Sequence, residues 1–288
     1  MNFLKTGFLL AAMTVLLVFA GQLIGGSQGA TMAFGFALLM NFGAYWFSDK
    51  MVLAMYRAKP LNPAEAPQVF RAVQDIALQN KMPMPKLFLV PTMTPNAFAT
   101  GRSPKHASVA VTSGILQVLD EQELKGVLAH ELSHVKNRDT LVMTIAAAVA
   151  GAISMLAQWA RWSMFMGGGR RSNDDDRGNG GGAFQLVALL FIVVLAPIAA
   201  MLIQLAISRT REYGADETGA KLIHNPFALA SALQKLDAAA NAYPMRDVNP
   251  ATAHLFIVNP LRSGLLASLF STHPPMEKRI ERLKRLRV

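Results

Sequence analysis

The sequence predicts a mainly α-helical integral membrane protein in which four apolar segments frame a smaller mixed α+β unit. Three observations predict it. The 288-residue chain is 52% hydrophobic and only 16% charged, too apolar for an ordinary soluble protein. Its apolar residues are bunched: no charged residue occurs from Thr6 to Ser48, from Leu141 to Ala160, or from Ala183 to Ile207. The more polar remainder carries short helix and strand patterns and a pair of histidines, His130 and His134, four residues apart.

The first run is long enough for two bilayer crossings. Phe8–Gly25 and Thr31–Phe47 read as two spanning helices joined by a turn near Gly25-Gly26-Ser27, so residues 1–49 form a transmembrane hairpin. Lys5, the apolar run and the small-residue site at Val18-Phe19-Ala20 also fit a cleavable signal peptide. A retained hairpin is the preferred reading. Lys50, Arg57 and Lys59 follow the second segment and place that side in the cytoplasm by the positive-inside rule. The net charge of +10 has the same origin, because Lys and Arg cluster at the ends of apolar segments; orientation in a membrane explains them, and no nucleic acid is expected. The absence of cysteine excludes disulfides, thiolate metal sites and cysteine catalysis.

Residues 50–140 read as the first part of a catalytic domain. Asn62-Pro63-Ala64-Glu65 signals a helix start, and Val69, Val73, Ile76 and Ala77 follow at helical spacing. Lys86–Val90 and Ala107–Thr112 read as strands. The stretch between them, Asn96-Ala97-Phe98-Ala99-Thr100-Gly101, leads into the second strand; as an exposed strand it would pair with an extended peptide, and as a Gly-ended turn it would not. Residues 141–207 form a second hairpin around a Gly-rich, charged and flexible loop at 167–182, with Pro197 as a kink. Two crossings return the chain to the side it left, so His134 before the hairpin and Glu212 after it can meet at one metal; a hairpin that dips without spanning also fits. Residues 208–288 are the second catalytic part, with helices at Phe227–Asn241 and Glu277–Arg287.

The chemistry concentrates on His130-Glu131-Leu132-Ser133-His134. Histidines four apart stack on one helix face and can grip one metal, and zinc accepts neutral imidazole. Glu131 lies about 100° round the helix from His130, close enough to take a proton from water at the metal. Asp120 and Glu123 offer a capping box at the helix start, and Leu124, Val127, Leu128, Leu132 and Val135 share a core-facing side. A catalytic zinc wants a third protein ligand. Glu212 in Arg211-Glu212-Tyr213-Gly214-Ala215-Asp216 is the strongest distal candidate. Glu212 and Asp216 are one turn apart, so one can bind zinc while the other accepts the free N–H of a ligand histidine; equally, the pair could neutralise Arg209 and Arg211 on a surface.

These motifs, in this order and among four apolar segments, resemble the HtpX family of bacterial membrane zinc metalloproteases, which is related to the eukaryotic CAAX prenyl proteases. The resemblance covers essentially the whole chain. It implies a zincin-like α+β metalloprotease domain with one Zn2+ per chain held by His130, His134 and Glu212. It further implies Glu131 as general base, Asp216 as a residue that orients a ligand, and an inner-membrane, multi-pass protein with a cytoplasmic active site. The implied substrates are misfolded or damaged membrane proteins and unfolded polypeptides, in a stress response. The family has a Thr-His-Pro element similar to Thr272-His273-Pro274, which brings His273 or Arg279 into consideration near the site. His273 is as well placed to stabilise an oxyanion as to start a helix, while Arg279 reads more simply as part of a basic helix. His106, His224 and His254 receive no role. A prenyl-peptide processing protease and a non-enzymatic membrane chaperone or scaffold with a structural metal are the alternatives.

Overall fold

The computed structural model describes residues 2–148, 209–242, 255–258 and 274–288. The third apolar segment beyond residue 148, the loop at 167–182, the fourth segment with Pro197, and His254 and His273 lie outside the described residues.

Helix α1 runs over Asn2–Met55. A straight helix would separate Leu10 from Asn41 by about 46 Å at 1.5 Å per residue. Instead the Asn41 amide donates to Leu10 O at 3.3 Å and to Thr14 Oγ1 at 2.8 Å. The chain therefore doubles back, and Gly26, at φ +58°, supplies the left-handed turn that a side chain would resist. The two arms expose Phe8, Val15, Phe19, Met32, Phe34, Phe36, Leu39 and Phe42, among others. Gly26–Met55 is the one helix among the described residues that is long and apolar enough to cross a bilayer; Thr6–Phe19 is apolar but shorter. Among the described residues, then, one such span is seen, and the third segment beyond residue 148 and the fourth segment fall outside them.

Four strands form one sheet in the order β1-β2-β4-β3: β1 Lys59–Pro60, β2 Lys86–Val90, β3 Ala97–Thr100 and β4 Ser108–Thr112. The pair β2/β4 is parallel, and β1/β2 and β3/β4 are antiparallel. Strand alternation divides the core. Leu87, Ala97, Ala99, Val109 and Val111 face one apolar cluster, which includes helices α2 (Pro67–Gln79) and α4 (Glu121–Lys136). Val90, Phe98 and Ala110 face a second, built with Val52 and Leu53 of α1, Met143, Ala147 and Leu255-Phe256. Tyr56, Phe98 and Phe256 pack ring against ring there, with centroids 4.9–5.6 Å apart.

Helix α2 begins at Pro67 rather than at the expected Asn62–Glu65. Those four residues form a turn, in which Asn62 Oδ1 accepts from the Ala64 N–H at 3.0 Å. The residue before a proline is steered out of the helical region, and Ala66 sits at φ −145°, ψ 69°. A short helix α3 (Ile115–Val118) leads to α4. The capping box forms as its sequence predicts: Asp120 Oδ1 accepts from the Gln122 and Glu123 N–H groups at 2.9 Å, and Glu123 accepts from the Asp120 N–H at 3.0 Å. From Glu123 to Val135, α4 is buried on every side except at Lys125, a deeper setting than an amphipathic stripe implies. Helices α5 (Arg209–Ile223) and α6 (Pro226–Ala242) pack on α4, and α7 (Met276–Arg285) packs on both. Glu123 also accepts from Ser231 and Lys235 of α6, at 2.7 Å each, fixing the start of α4 to its neighbour.

Candidate active site

Helix α4 presents His130 and His134 on the side facing α5, with ring planes at 90° and centroids 4.9 Å apart. The approach of α5 is close because Gly219 has no side chain: a Cβ there would lie 2.9 Å from the His130 Cα and N. Ser133 Oγ adds a polar link, 3.0 Å from the Ala215 carbonyl of α5. This contact brings Glu212 over the histidines. His130 Nε2 is 3.9 Å from Glu212 Oε2, and His134 Nε2 is 3.6 Å from Glu212 Oε1. One ligand atom from each of the three residues falls within 4.8 Å of the other two, and all three residues are buried.

Both Nδ1 atoms face other carboxylates. His130 Nδ1 lies 3.0 Å from Asp216 Oδ1, and His134 Nδ1 lies 3.4 Å from Asp139 Oδ2. The ring edge bearing Nε2 thus points at Glu212 in both cases, the orientation a metal ligand needs. Two imidazoles and a carboxylate, with no thiolate, are a donor set that fits a catalytic zinc.

The Thr-His-Pro resemblance brings Arg279 into consideration near the site, but the simpler reading of the sequence is preferred. Read there as part of a basic helix, it is fully buried at the centre of the site. Its Nε and Nη2 grip both oxygens of Asp216 at 2.8 and 2.7 Å, and Nη1 donates to Ile257 O at 3.1 Å. Nη1 also lies 3.6 Å from Glu212 Oε2. The sequence held a signal for it: Arg279 falls three residues after Met276 and four before Leu283, on the apolar stripe of α7. Asp139, just past the end of α4, was missed because only the backbone reversal at Arg138, φ 57°, turns it back towards His134.

Buried charge sets the electrostatics. Burial pushes Glu131 up to about 8, and the nearby Glu212 charge adds to this, while His134 and a hydrogen bond from the Ala99 backbone oppose it. Burial also pushes His130 below its ordinary value, against the pull of Asp216. For His134 burial acts in the same direction, but Asp139, Glu212 and Glu131 outweigh it and hold the ring above its ordinary value. Asp216 would be raised by burial; Arg279 overrides this and holds it below the usual carboxylate range.

The two residues proposed from sequence as a substrate strand are placed differently from each other. Ala97 opens β3, an edge strand. Asn96 precedes it, and its amide is engaged with Val258, donating to Val258 O at 3.0 Å. Of the two readings left open by the sequence, a strand forms, but all four of its residues are buried rather than exposed. Its backbone still has an outward row. The Thr112 N–H donates to Asn96 O at 3.0 Å, so the alternation of an antiparallel ladder turns Ala97 and Ala99 away from β4. The Ala97 N–H is met by Asn96 Oδ1 at 3.1 Å and the Ala99 N–H by Glu131. Strand β3 therefore runs beside the candidate base.

Residues 63–287 match the model of peptidase family M48. The chain belongs to this family. Among curated relatives, a "Protease HtpX homolog" of Syntrophobacter fumaroxidans is 56% identical over 280 residues, 97% of this chain and 98% of the relative. Homologues of the same name from Syntrophotalea carbinolica and Pyrococcus furiosus are each 55% identical, over 100% and 98% of this chain and 100% and 95% of theirs. The fold resembles the crystal structure of Ste24p from S. mikatae, with a TM-score of 0.52 at 16% identity, over 98% of this chain and 64% of that one. This M48 peptidase is thus a metalloprotease of the HtpX type, and its His130-His134-Glu212 group is able to hold the metal.

Proposed function

We propose that the protein is a membrane-inserted zinc endopeptidase that acts on misfolded or damaged membrane proteins from the cytoplasmic side. One observation carries the catalytic part: two histidine Nε2 atoms and a Glu212 oxygen converge, with a buried glutamate, Glu131, next to one of them on the same helix. In this reading His130, His134 and Glu212 hold the zinc, Asp216 and Asp139 orient the two imidazoles, and Arg279 holds Asp216 and Glu212 in place. When bound, the metal supplies Lewis acidity that polarises a peptide carbonyl and makes water easier to deprotonate. Glu131 takes the proton of the attacking water and passes it to the leaving amine. Ala97 and Ala99 on β3 align the substrate as an added strand.

Membrane insertion is supported by the α1 hairpin, whose exposed surface is apolar and which is followed by Lys50, Arg57 and Lys59. In this reading residues 50–140 and 208–288 together make the catalytic unit.

The test uses detergent-purified protein stripped of metal. Zinc should restore cleavage of an unfolded test protein, and Glu131→Gln should bind zinc normally while losing activity by a factor of about 10²–10⁴. Full activity in that variant would remove Glu131 from its role. Glu212→Ala should lower zinc affinity, and an unchanged metal content would refute its assignment. Cleavage of lipidated C-terminal peptides in preference to unfolded protein would redirect the substrate assignment to prenyl-peptide processing.

A further inference from the structure

We infer that Thr144 is a positioning residue that clamps the far end of β3 to the helix leading into the third apolar segment, and so fixes the strand on which substrate is aligned. The inference rests on the peptidase reading above and on the substrate-strand role of β3 within it.

The residues after Asp139 are helical again from residue 140 to the last one described, 148, and they open the uncharged run Leu141–Ala160. Thr144 in this helix is fully buried. Its hydroxyl lies 2.6 Å from Thr140 O, an atom that can only accept, so the hydroxyl proton is committed there. Its oxygen then accepts the Gly101 N–H at 3.2 Å and the Thr100 hydroxyl at 3.0 Å. One hydroxyl therefore donates once and accepts twice, which exhausts its capacity.

Both groups it holds belong to the end of the substrate strand. The outward row of N–H groups runs Ala97, Ala99, Gly101, and the third of these is the one given to Thr144. Gly101 sits at φ +130°, and a Cβ there would meet the Ala107 Cα at 2.9 Å, so the strand leaves the sheet at a fixed point. At the opposite end, Asn96 ties the strand to Val258. The strand Ala97–Thr100 is thus held at both ends. A second contact reinforces the clamp: the Arg102 guanidinium stacks over the Trp46 ring of α1, 4.3 Å from its centroid. Two apolar elements, one on each side of the catalytic sequence, hold the same loop.

The partners of Thr144 are Thr140, Gly101 and Thr100, none of them a proposed metal ligand or base, so its loss falls first on the alignment of an added strand. Thr144→Val keeps the shape and removes all three hydrogen bonds, and Thr144→Ser keeps them. In the full-length, zinc-loaded protein, Thr144→Val should raise KM for an extended peptide substrate about five-fold or more, with kcat within about two-fold of wild type. Thr144→Ser should behave as wild type. In metal-free protein, amide exchange across residues 97–103 should accelerate about ten-fold in Thr144→Val and not in Thr144→Ser. If Thr144→Val does not fold, Thr100→Val, which removes one of the three bonds, should give smaller changes in the same directions. An unchanged KM, a fall confined to kcat, or unchanged exchange would overturn the inference. Wild-type protein that cleaves nothing with zinc would instead overturn the peptidase reading, and the exchange comparison would still decide the clamp.

Discussion

The two histidines of α4 stand one turn apart, point at the same glutamate, and are held in opposite ways. His130 faces Asp216, whose negative charge is already matched by a bidentate Arg279. His134 faces Asp139 at a longer distance, 3.4 Å, and also feels the Glu212 and Glu131 charges. Burial lowers both rings. It prevails at 130, where Arg279 offsets the pull of Asp216, and is outweighed at 134 by Asp139, Glu212 and Glu131. One ring is thus held below its ordinary pKa and the other above it. The difference teaches that a buried carboxylate can orient an imidazole without protonating it, provided a cation beside it balances the charge. On the proposed assignment of both rings as metal ligands, the neutral form a metal needs is favoured at His130 and opposed at His134.

Breaking the balance at its centre should have the largest effect. Arg279→Leu leaves Asp216 buried without its cation, and should destabilise the protein by about 3–5 kcal/mol in chemical denaturation. It should also raise the pKa of His130, seen by NMR titration of the metal-free protein. A variant as stable as wild type would show that Asp216 has another partner of equal strength.

Asp216→Asn and Asp139→Asn sharpen the comparison. Removing the carboxylate that orients a ligand histidine costs about 10–100-fold in metal affinity. The tighter, doubly anchored Asp216 should give the larger loss in a zinc competition titration. Equal losses would mean that Arg279 adds nothing to the orientation of His130.

The smallest effect is a pH dependence of the metal-free protein. The Glu131 carboxyl has an ordinary value of 4.5 and is pushed up to about 8 in the fold. The folded state thus holds a proton that the unfolded state releases. This contribution is complete below pH 4.5 and is lost as pH rises through about 8. His134, also raised, has the same sign. The melting temperature of metal-free wild type should therefore fall between pH 6 and pH 8 relative to Glu131→Gln. Parallel profiles for the two proteins would contradict the raised value.

Where the signal is local, the sequence was sufficient. The capping box at Asp120 and Glu123, the helical spacing of His130 and His134, and the strand alternation at 86–90 each depend on neighbours within a few residues, and each appears in the structure. Glu212 could be ranked first among distal candidates because it shares a helical turn with Asp216. Arg279 was different. Its inward course is set by Asp216, 63 residues away, and in sequence it is one of five basic residues in ten. The turn of Asp139 back to His134, and the burial of β3 under residues from 52 to 258, likewise depend on packing between distant parts of the chain.

Gly219 has a consequence for the reading of mutational maps. It offers no ligand, no proton and no charge, yet its bare Cα sets the spacing between the helix that bears two of the proposed metal ligands and the helix that bears the third. A single added methyl would act as a shim between them. In a scan scored by proteolysis, position 219 should look as intolerant as His130, so that a position with no chemistry of its own would pass for part of the catalytic set. Scoring the same library by protein abundance would separate the two kinds of intolerance, since a shim moves the ligands before it unfolds the core.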